Sequence, residues 1–313
     1  METNDLYRTY SAFLLKQYGE KVYKIPIHLP AGCPNRDGTL GTGGCDFCDQ
    51  QGAGFEMLSQ RVSVKKQLAD NMAYIGGKYH AKKFVAYFQN YSNTFLPYQT
   101  FQQAMLDAVH PQVVEFAVST RPDCIQQQQL DFLSKISRET GINMTFELGL
   151  QTANYRTLYA INRGHGLAAF IDAVLKLHQH AFNVCAHVIV NLPGDDLLDV
   201  TETARILSAL KIQQVKLHAL YVMKNTKMGD EYLRGELKLI PVEEYIERVI
   251  CFLENLQPEV IVQRLIGRAP EKNSLFVNWG MSWWKIRDEI HEKMSRENRF
   301  QGSEWLKTLN VDM

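Results

Sequence analysis

Residues 33–48 read Cys33-Pro-Asn-Arg-Asp-Gly-Thr-Leu-Gly-Thr-Gly-Gly-Cys45-Asp-Phe-Cys48, three cysteines spaced C-x11-C-x2-C within a glycine-dense loop. The other three cysteines, Cys124, Cys185 and Cys251, lie far from this loop and from one another. Clustered thiolates are soft ligands that suit zinc, copper(I) or an iron–sulfur cluster. A structural zinc site closes with a fourth ligand, and no histidine stands in or beside the loop; His28 precedes it and His80 follows at a distance. Three thiols around a 4Fe-4S cluster would instead leave one iron open to a small molecule. Gly38, Gly41, Gly43 and Gly44 allow the main chain to turn sharply and approach a bulky group. A disulfide framework would want an even set of cysteines and an oxidising compartment. Cys33, Cys45 and Cys48 are therefore the expected metal ligands. Cys124 and Cys185 read as small buried hydrophobes.

Composition narrows the classes around this loop. The 313 residues are 45% hydrophobic and 22% charged, as in ordinary globular proteins, and 34 basic residues balance 34 acidic ones. No global field draws such a chain onto nucleic acid or membrane, so a polyanionic partner needs a local patch. No apolar run is long enough to span a bilayer, and the first 24 residues lack a signal-peptide core. A cytoplasmic location is expected.

Working outward, Leu6, Tyr10, Phe13, Leu14 and Tyr18 are spaced as one face of a helix over residues 5–18. Tyr23, Ile25 and Ile27 alternate as a first strand that runs into the cysteine loop. The pattern then repeats. Helical stretches near 59–76, 97–109, 127–140, 165–181 and 197–210 precede strand-like runs at 82–88, 113–120, 143–150, 182–190 and 214–222. Six apolar strands alternating with amphipathic helices predict an α/β fold, a partial (βα)6 TIM-like barrel of parallel strands with helices outside. Active sites of such barrels lie at the carboxyl ends of the strands, where the cysteine loop sits. Gly229 to Gly235 reads as a break, and Pro241 opens a helix with Tyr245, Val249, Phe252, Leu253 and Leu256 on one face. The expected organisation is an N-terminal helix (1–20), a barrel (21–235) and an α-rich C-terminal substrate or lid region (236–313).

The run CPNRDG…GGC-x2-C resembles the radical S-adenosylmethionine (SAM) superfamily, and most closely its YhcC-like subfamily, related to the Elongator catalytic subunit and to oxygen-independent coproporphyrinogen oxidase. The first spacing is longer than the superfamily's commonest C-x3-C-x2-C. The resemblance implies a 4Fe-4S cluster that binds SAM at its unique iron and cleaves it reductively to methionine and a 5′-deoxyadenosyl radical. It also implies SAM contacts at successive strand ends. Gln89 stands in YFQN where the superfamily often has GGE, and Tyr87 and Phe88 beside it read equally well as core aromatics. Ser119 and Arg121 fall in STRPD, similar to the TRPD segment of the Elongator branch. Glu147 and Gln151 fall in ELGLQT, with Arg163 twelve positions after Gln151, the spacing at which coproporphyrinogen-oxidase-like members bind SAM. An arginine fork suits the methionine carboxylate.

His187 and Asn191 lie in HVIVNLPGDD, similar to the family's GLPG turn with Asn191 in place of the first glycine. A satisfied core histidine is the plainer reading of His187. Lys216 and His218, in KLHALYV, are placed near the adenine by analogy. Toward the C-terminus Arg264, Arg268, Lys272, Lys285 and Arg287 interleave with Trp279, Trp283 and Trp284, a pattern that can grip phosphates and stack bases, or dock a helix onto the barrel. The resemblance points to tRNA as substrate, with processing of a carboxymethylaminomethyl group on the wobble uridine toward the aminomethyl type. A flavodoxin or ferredoxin is the expected electron donor. A small-molecule or peptide substrate is the second enzymatic reading, and a zinc or redox-sensing binding module the non-enzymatic one.

Overall fold

The computed structural model describes residues 6–49, 58–268 and 273–309; Lys272 lies outside them. Six strands follow one another in parallel: β1 (Val22–His28), β2 (Lys83–Gln89), β3 (Val113–Thr120), β4 (Asn143–Gln151), β5 (Asn183–Ile189) and β6 (Gln214–His218). A seventh, β8 (Ile261–Arg264), adds parallel to β6 from the segment beyond residue 236. The fold is thus the expected α/β partial barrel, with one strand more than the hydrophobic periodicity marked. The run expected as strand over 214–222 ends at His218; a short β7 (Val222–Met223) turns away and pairs antiparallel with β9 (Ser274–Phe276).

The connecting helices are α2 (Val64–Tyr79), α3 (Tyr98–Asp107), α4 (Gln127–Thr140), α5 (Tyr155–Ala160), α6 (Leu167–Gln179) and α7 (Leu197–Ala209). Side-chain caps start several of them: Ser63 opens α2, Asn154 opens α5, and Asp196 opens α7 in a capping box with Asp199. The break expected at Gly229–Gly235 is instead α8 (Lys227–Leu233). It forms because the Thr226 hydroxyl accepts from the Gly229 amide, and Gly235, at φ 72°, stops the chain just after the last turn. Next comes α9 (Val242–Asn255), started by Pro241 and packed against α7, followed by α10 (Trp283–Arg296) and α11 (Ser303–Leu309).

Alternation along each strand gives the sheet two unlike faces. Ile25, Ile27, Phe84, Phe88, Phe116, Phe146, Val184 and Leu217 are fully buried against the helices. Each such side chain contributes about 1.5–3 kcal/mol relative to exposure. The opposite parity carries Lys24, Tyr87, Glu115, Glu147, Cys185, His187 and Lys216, whose side chains meet one another inside the curl. Lys24 of β1 reaches Gln263 of β8 at 2.9 Å although these strands are opposite edges of the sheet, so the sheet is curled nearly onto itself. Helix α1 (Tyr10–Tyr18), capped by Thr9, lies along this seam: Thr9 bridges Val262 of β8, and α1 packs on both β8 and β1.

Candidate active site at the mouth of the barrel

The cysteine loop leaves the carboxyl end of β1 and is tied to the segment after α5 by reciprocal amides. Asn35 Nδ2 donates to the Asn162 carbonyl (2.7 Å), and Asn162 Nδ2 donates to the Gly44 carbonyl (2.7 Å). Gly164, at φ 75°, makes room for the Asn35 carboxamide, which a Cβ at that position would strike. Arg36 ties the end of the loop by donating to the carbonyls of Cys48 and Asp49. Lys227 pairs with Asp46 at 2.8 Å.

The Cys45 sulfur faces two donors, Arg163 Nη1 at 3.5 Å and Asn35 Nδ2 at 3.9 Å. Burial, together with the neighbouring Cys45 and Cys33, pushes the Cys48 thiol up to about 11. Three converging thiols do not all ionise beside one another without a cation. A cationic iron–sulfur cluster supplies that charge, so the donor set fits the group. Cys45 and Cys48 line a cleft of about 1150 Å³ with Arg36, His165, Tyr155 and Tyr159.

Gln151 and Arg163 come together around Gly149. A Cβ on Gly149 would lie 2.7 Å from Arg163 Nη2 and 2.9 Å from Gln151 Nε2, so a larger residue there would force the two side-chain ends to shift. Arg163 Nη2 donates to the Gly149 carbonyl at 2.6 Å, and Gln151 holds a left-handed φ of 80° at a register shift between β4 and β5. Arg121 stands behind them: it grips Asp123 through two bonds (2.9 and 2.7 Å) and donates to the Arg163 carbonyl at 3.0 Å. It thus fixes the loop that carries Arg163.

Deeper in the barrel Glu147 accepts from Lys24, from Lys216 (2.6 Å) and from His187 (2.9 Å). Burial alone would raise its carboxyl, but the attraction of Lys216, Lys24 and His187 outweighs this and holds it well below the usual range. Burial, with Lys216 adding to it, brings His187 down to about 4, so its imidazole is neutral. His187 packs at 5.0 Å from His218, which accepts from Arg264 Nη2 at 2.7 Å and is likewise kept neutral, first by burial and then by Arg264. Ser119 donates to the Tyr87 hydroxyl at 3.2 Å, and both lysine ammoniums lie 4.7 Å from the Tyr87 ring centre. Glu147, Cys185 and His187 bring ligand-type atoms within 4.8 Å of one another. The two ammonium groups already on that carboxylate would repel a metal ion there.

The remaining expected residues separate. Gln89 ends β2 in register with His28. Asn191 accepts from the Leu220 amide at 2.7 Å and so pins the turn after β5. Trp279 docks inward, its indole donating to the Ile240 carbonyl at 2.8 Å and its ring lying 5.0 Å from Tyr245. Trp283 and Trp284 are exposed on α10 beneath Arg287 and Lys285, respectively, and Arg268 is exposed. Arg264 belongs to the barrel interior instead. Lys24, His165 and the exposed pair Tyr155 and Tyr159 did not stand out in the sequence. For Lys24 the usable signal was parity, since it alternates with Ile25 and Ile27 as Glu147 does with Phe146 and Leu148.

Two family descriptions match the chain, the radical SAM superfamily over residues 29–207 and the radical SAM C-terminal domain over residues 212–296. Protein YhcC of Escherichia coli K12 is 33% identical over 304 residues, covering 97% of this chain and 96% of that protein. YtqA of Bacillus subtilis, a protein described as uncharacterized, is 32% identical over 301 residues, covering 96% and 93%. Among solved structures, the archaeal Methanocaldococcus infernus Elp3 with an N-terminal deletion shares the fold with a TM-score of 0.69 at 16% identity, over 90% of this chain and 64% of that one. With the cysteine loop at the mouth of a parallel partial barrel and the superfamily match spanning more than half its length, the chain belongs to the radical SAM superfamily.

Proposed function

We propose that this SAM-dependent radical enzyme acts on tRNA, processing a carboxymethylaminomethyl side chain of the wobble uridine toward the aminomethyl type. The family works with a 4Fe-4S cluster and SAM, which together supply a carbon radical able to take a hydrogen atom from an unactivated position. On this reading Cys33, Cys45 and Cys48 hold the cluster, Arg163 and Asn35 soften the charge on the Cys45 sulfur, and Gln151 with Arg163 receives the methionine carboxylate. Arg121 positions Arg163. His187 and His218, both neutral, line the wall of the barrel beyond them.

The observation that carries the choice of a macromolecular substrate is the rim of the cysteine cleft. Tyr155 and Tyr159, one helical turn apart on α5, are 69% and 82% exposed at the edge of a cleft that reaches Cys45 and Cys48. Rings left this open serve as stacking platforms for unpaired bases, worth about 1–3 kcal/mol per base. The exposed Trp283 and Trp284, each with a cation against its ring, offer a second such surface. On this reading the enzyme works in the cytoplasm and a flavodoxin or ferredoxin is the electron source.

The test is anaerobic turnover of the reconstituted protein with SAM, dithionite and bulk tRNA from cells lacking the gene. 5′-Deoxyadenosine should form in step with a mass change in one modified uridine. The nucleoside profile of the deletion strain should show the complementary change, and an identical profile with and without the gene refutes the tRNA assignment.

A further inference from the structure

We infer that Arg264, Tyr221 and His218 form a cradle for a single carboxylate carried by the substrate. The inference rests on the tRNA reading only for the identity of the molecule that carries that carboxylate.

Charge inside the curl does not balance. Lys24, Lys216 and Arg264 are the cations and Glu147 and Glu115 the carboxyls; Glu147 takes both lysines and His187, and Glu115 interacts with Lys24. Arg264 has no acidic partner among the described residues. It is nevertheless in register with Lys216 on the neighbouring strand, and like charges directly opposite repel. Among the described residues its hydrogen-bond partner is the neutral ring of His218, and its buried Nε has none. A half-buried guanidinium without a counter-charge is costly unless something else supplies one.

Tyr221 points at the same place. Its hydroxyl is buried without a partner, and burial pushes its ionisation up to about 12, so it is a neutral donor. Gly267 closes the back of the cradle: a Cβ there would fall 2.8 Å from the Tyr221 hydroxyl and 3.0 Å from the Arg264 guanidinium carbon. Two unsatisfied donors thus converge on one backbone segment, with His218 holding the arginine fork in place. A planar fork beside a hydroxyl matches the two oxygens of a carboxylate.

Position separates this site from the methionine carboxylate of SAM. Arg163, next to Cys45, anchors to Gly149 of β4; Gly149 neighbours His187 of β5, His187 packs on His218 of β6, and His218 meets Arg264 of β8. Arg264 therefore stands three strands along the sheet from Gly149, the anchor of Arg163.

The experiment measures thermal midpoints of the anaerobically reconstituted protein with sodium acetate or sodium phosphate replacing chloride at constant ionic strength, up to about 100 mM. Acetate should raise the midpoint of the wild type and bind at least tenfold tighter than phosphate. Arg264→Gln should weaken acetate at least tenfold, Arg264→Lys less, and Tyr221→Phe about threefold or more, which covers a failure of the arginine variants to fold. Lys135→Gln, which removes an exposed charge on α4, should bind acetate as the wild type does. Acetate affinity untouched by Arg264→Gln or Tyr221→Phe, phosphate binding tighter than acetate, or a wild type that acetate fails to stabilise overturns the inference. Arg264-dependent acetate binding in a protein that leaves tRNA unchanged keeps the cradle and removes the tRNA reading. A modified tRNA without Arg264-dependent acetate binding does the reverse.

Discussion

Replacing Glu147 by glutamine removes the one anion that answers Lys24, Lys216 and His187 while keeping the shape of the side chain. Glu147 is fully enclosed and the Lys216 side chain nearly so, so water does little to screen the two ammonium groups left behind. Losing one partner of a buried pair costs about 3–5 kcal/mol, and two lysines share this one carboxylate, so the upper part of that range applies. For a chain of this length the unfolding entropy converts it to a fall of about 5–8 °C in midpoint. The sign with pH follows from the depressed carboxyl. Its stabilisation is present above the unfolded-state value and fades only as pH falls through the lower native one, so wild type and Glu147→Gln should converge in strong acid. Scanning calorimetry of Glu147→Gln and of the triple variant with Lys24→Met and Lys216→Met gives the decisive comparison. The triple variant should recover at least half of the loss, since apolar replacement of a whole buried ionic group is close to neutral. A midpoint change under about 1 °C for Glu147→Gln, or no recovery in the triple variant, refutes the account of the barrel interior.

Three further outcomes follow from single positions. Burial raises Glu115 to about 7, so the stability it contributes when protonated is lost as pH rises from about 4.5 through 7; Glu115→Gln should match wild type at pH 4 and exceed it by about 3 kcal/mol at pH 8 in denaturant titrations. Gly149→Ala drives a methyl group into Arg163 Nη2 and Gln151 Nε2, and should weaken SAM at least tenfold in equilibrium dialysis while iron content holds; unchanged SAM affinity would remove the pair from the SAM site. Alanine at Cys33, Cys45 or Cys48 should abolish iron uptake on anaerobic reconstitution, whereas Cys251→Ala, on α9, should take up iron as wild type does.

The cysteine loop and the strand–helix alternation were legible because each leaves a local mark: a ligand spacing with its glycines, and apolar runs separated by amphipathic ones. The interior network was not, because its members come from all seven strands of the sheet and meet only once it curls. Lys24 reads as an outward charge on an edge strand until β8 closes toward β1 and Gln263 comes within 2.9 Å. His187 looks like an isolated core histidine and His218 is placed near the adenine only by analogy, yet their rings lie 5.0 Å apart and link Arg264 to Glu147. Strand β8 itself is four residues long, too short for its period to register between α9 and the tryptophan-rich stretch. The helix at Lys227–Leu233 was hidden by its glycines: Gly229 reads as a breaker, but the Met223 carbonyl packs where its Cβ would be, so close approach rather than flexibility explains it.

That short strand changes how the two halves of the chain relate. Val262 bridges Thr9 ahead of α1, Gln263 bonds Lys24 of β1, and Arg264 bonds His218 of β6, so three successive residues of β8 each fasten a different part of the barrel. The same strand covers the edge of β6, which would otherwise expose an unpaired ladder. The barrel thus receives the strand that closes its curl toward β1, and Arg264 with it, from the segment that follows the six-strand repeat. If Arg264 and Tyr221 form the proposed cradle, changes to β8 or Gly267 alter its anion binding while the cysteine loop and the Gln151–Arg163 pair stay as they are.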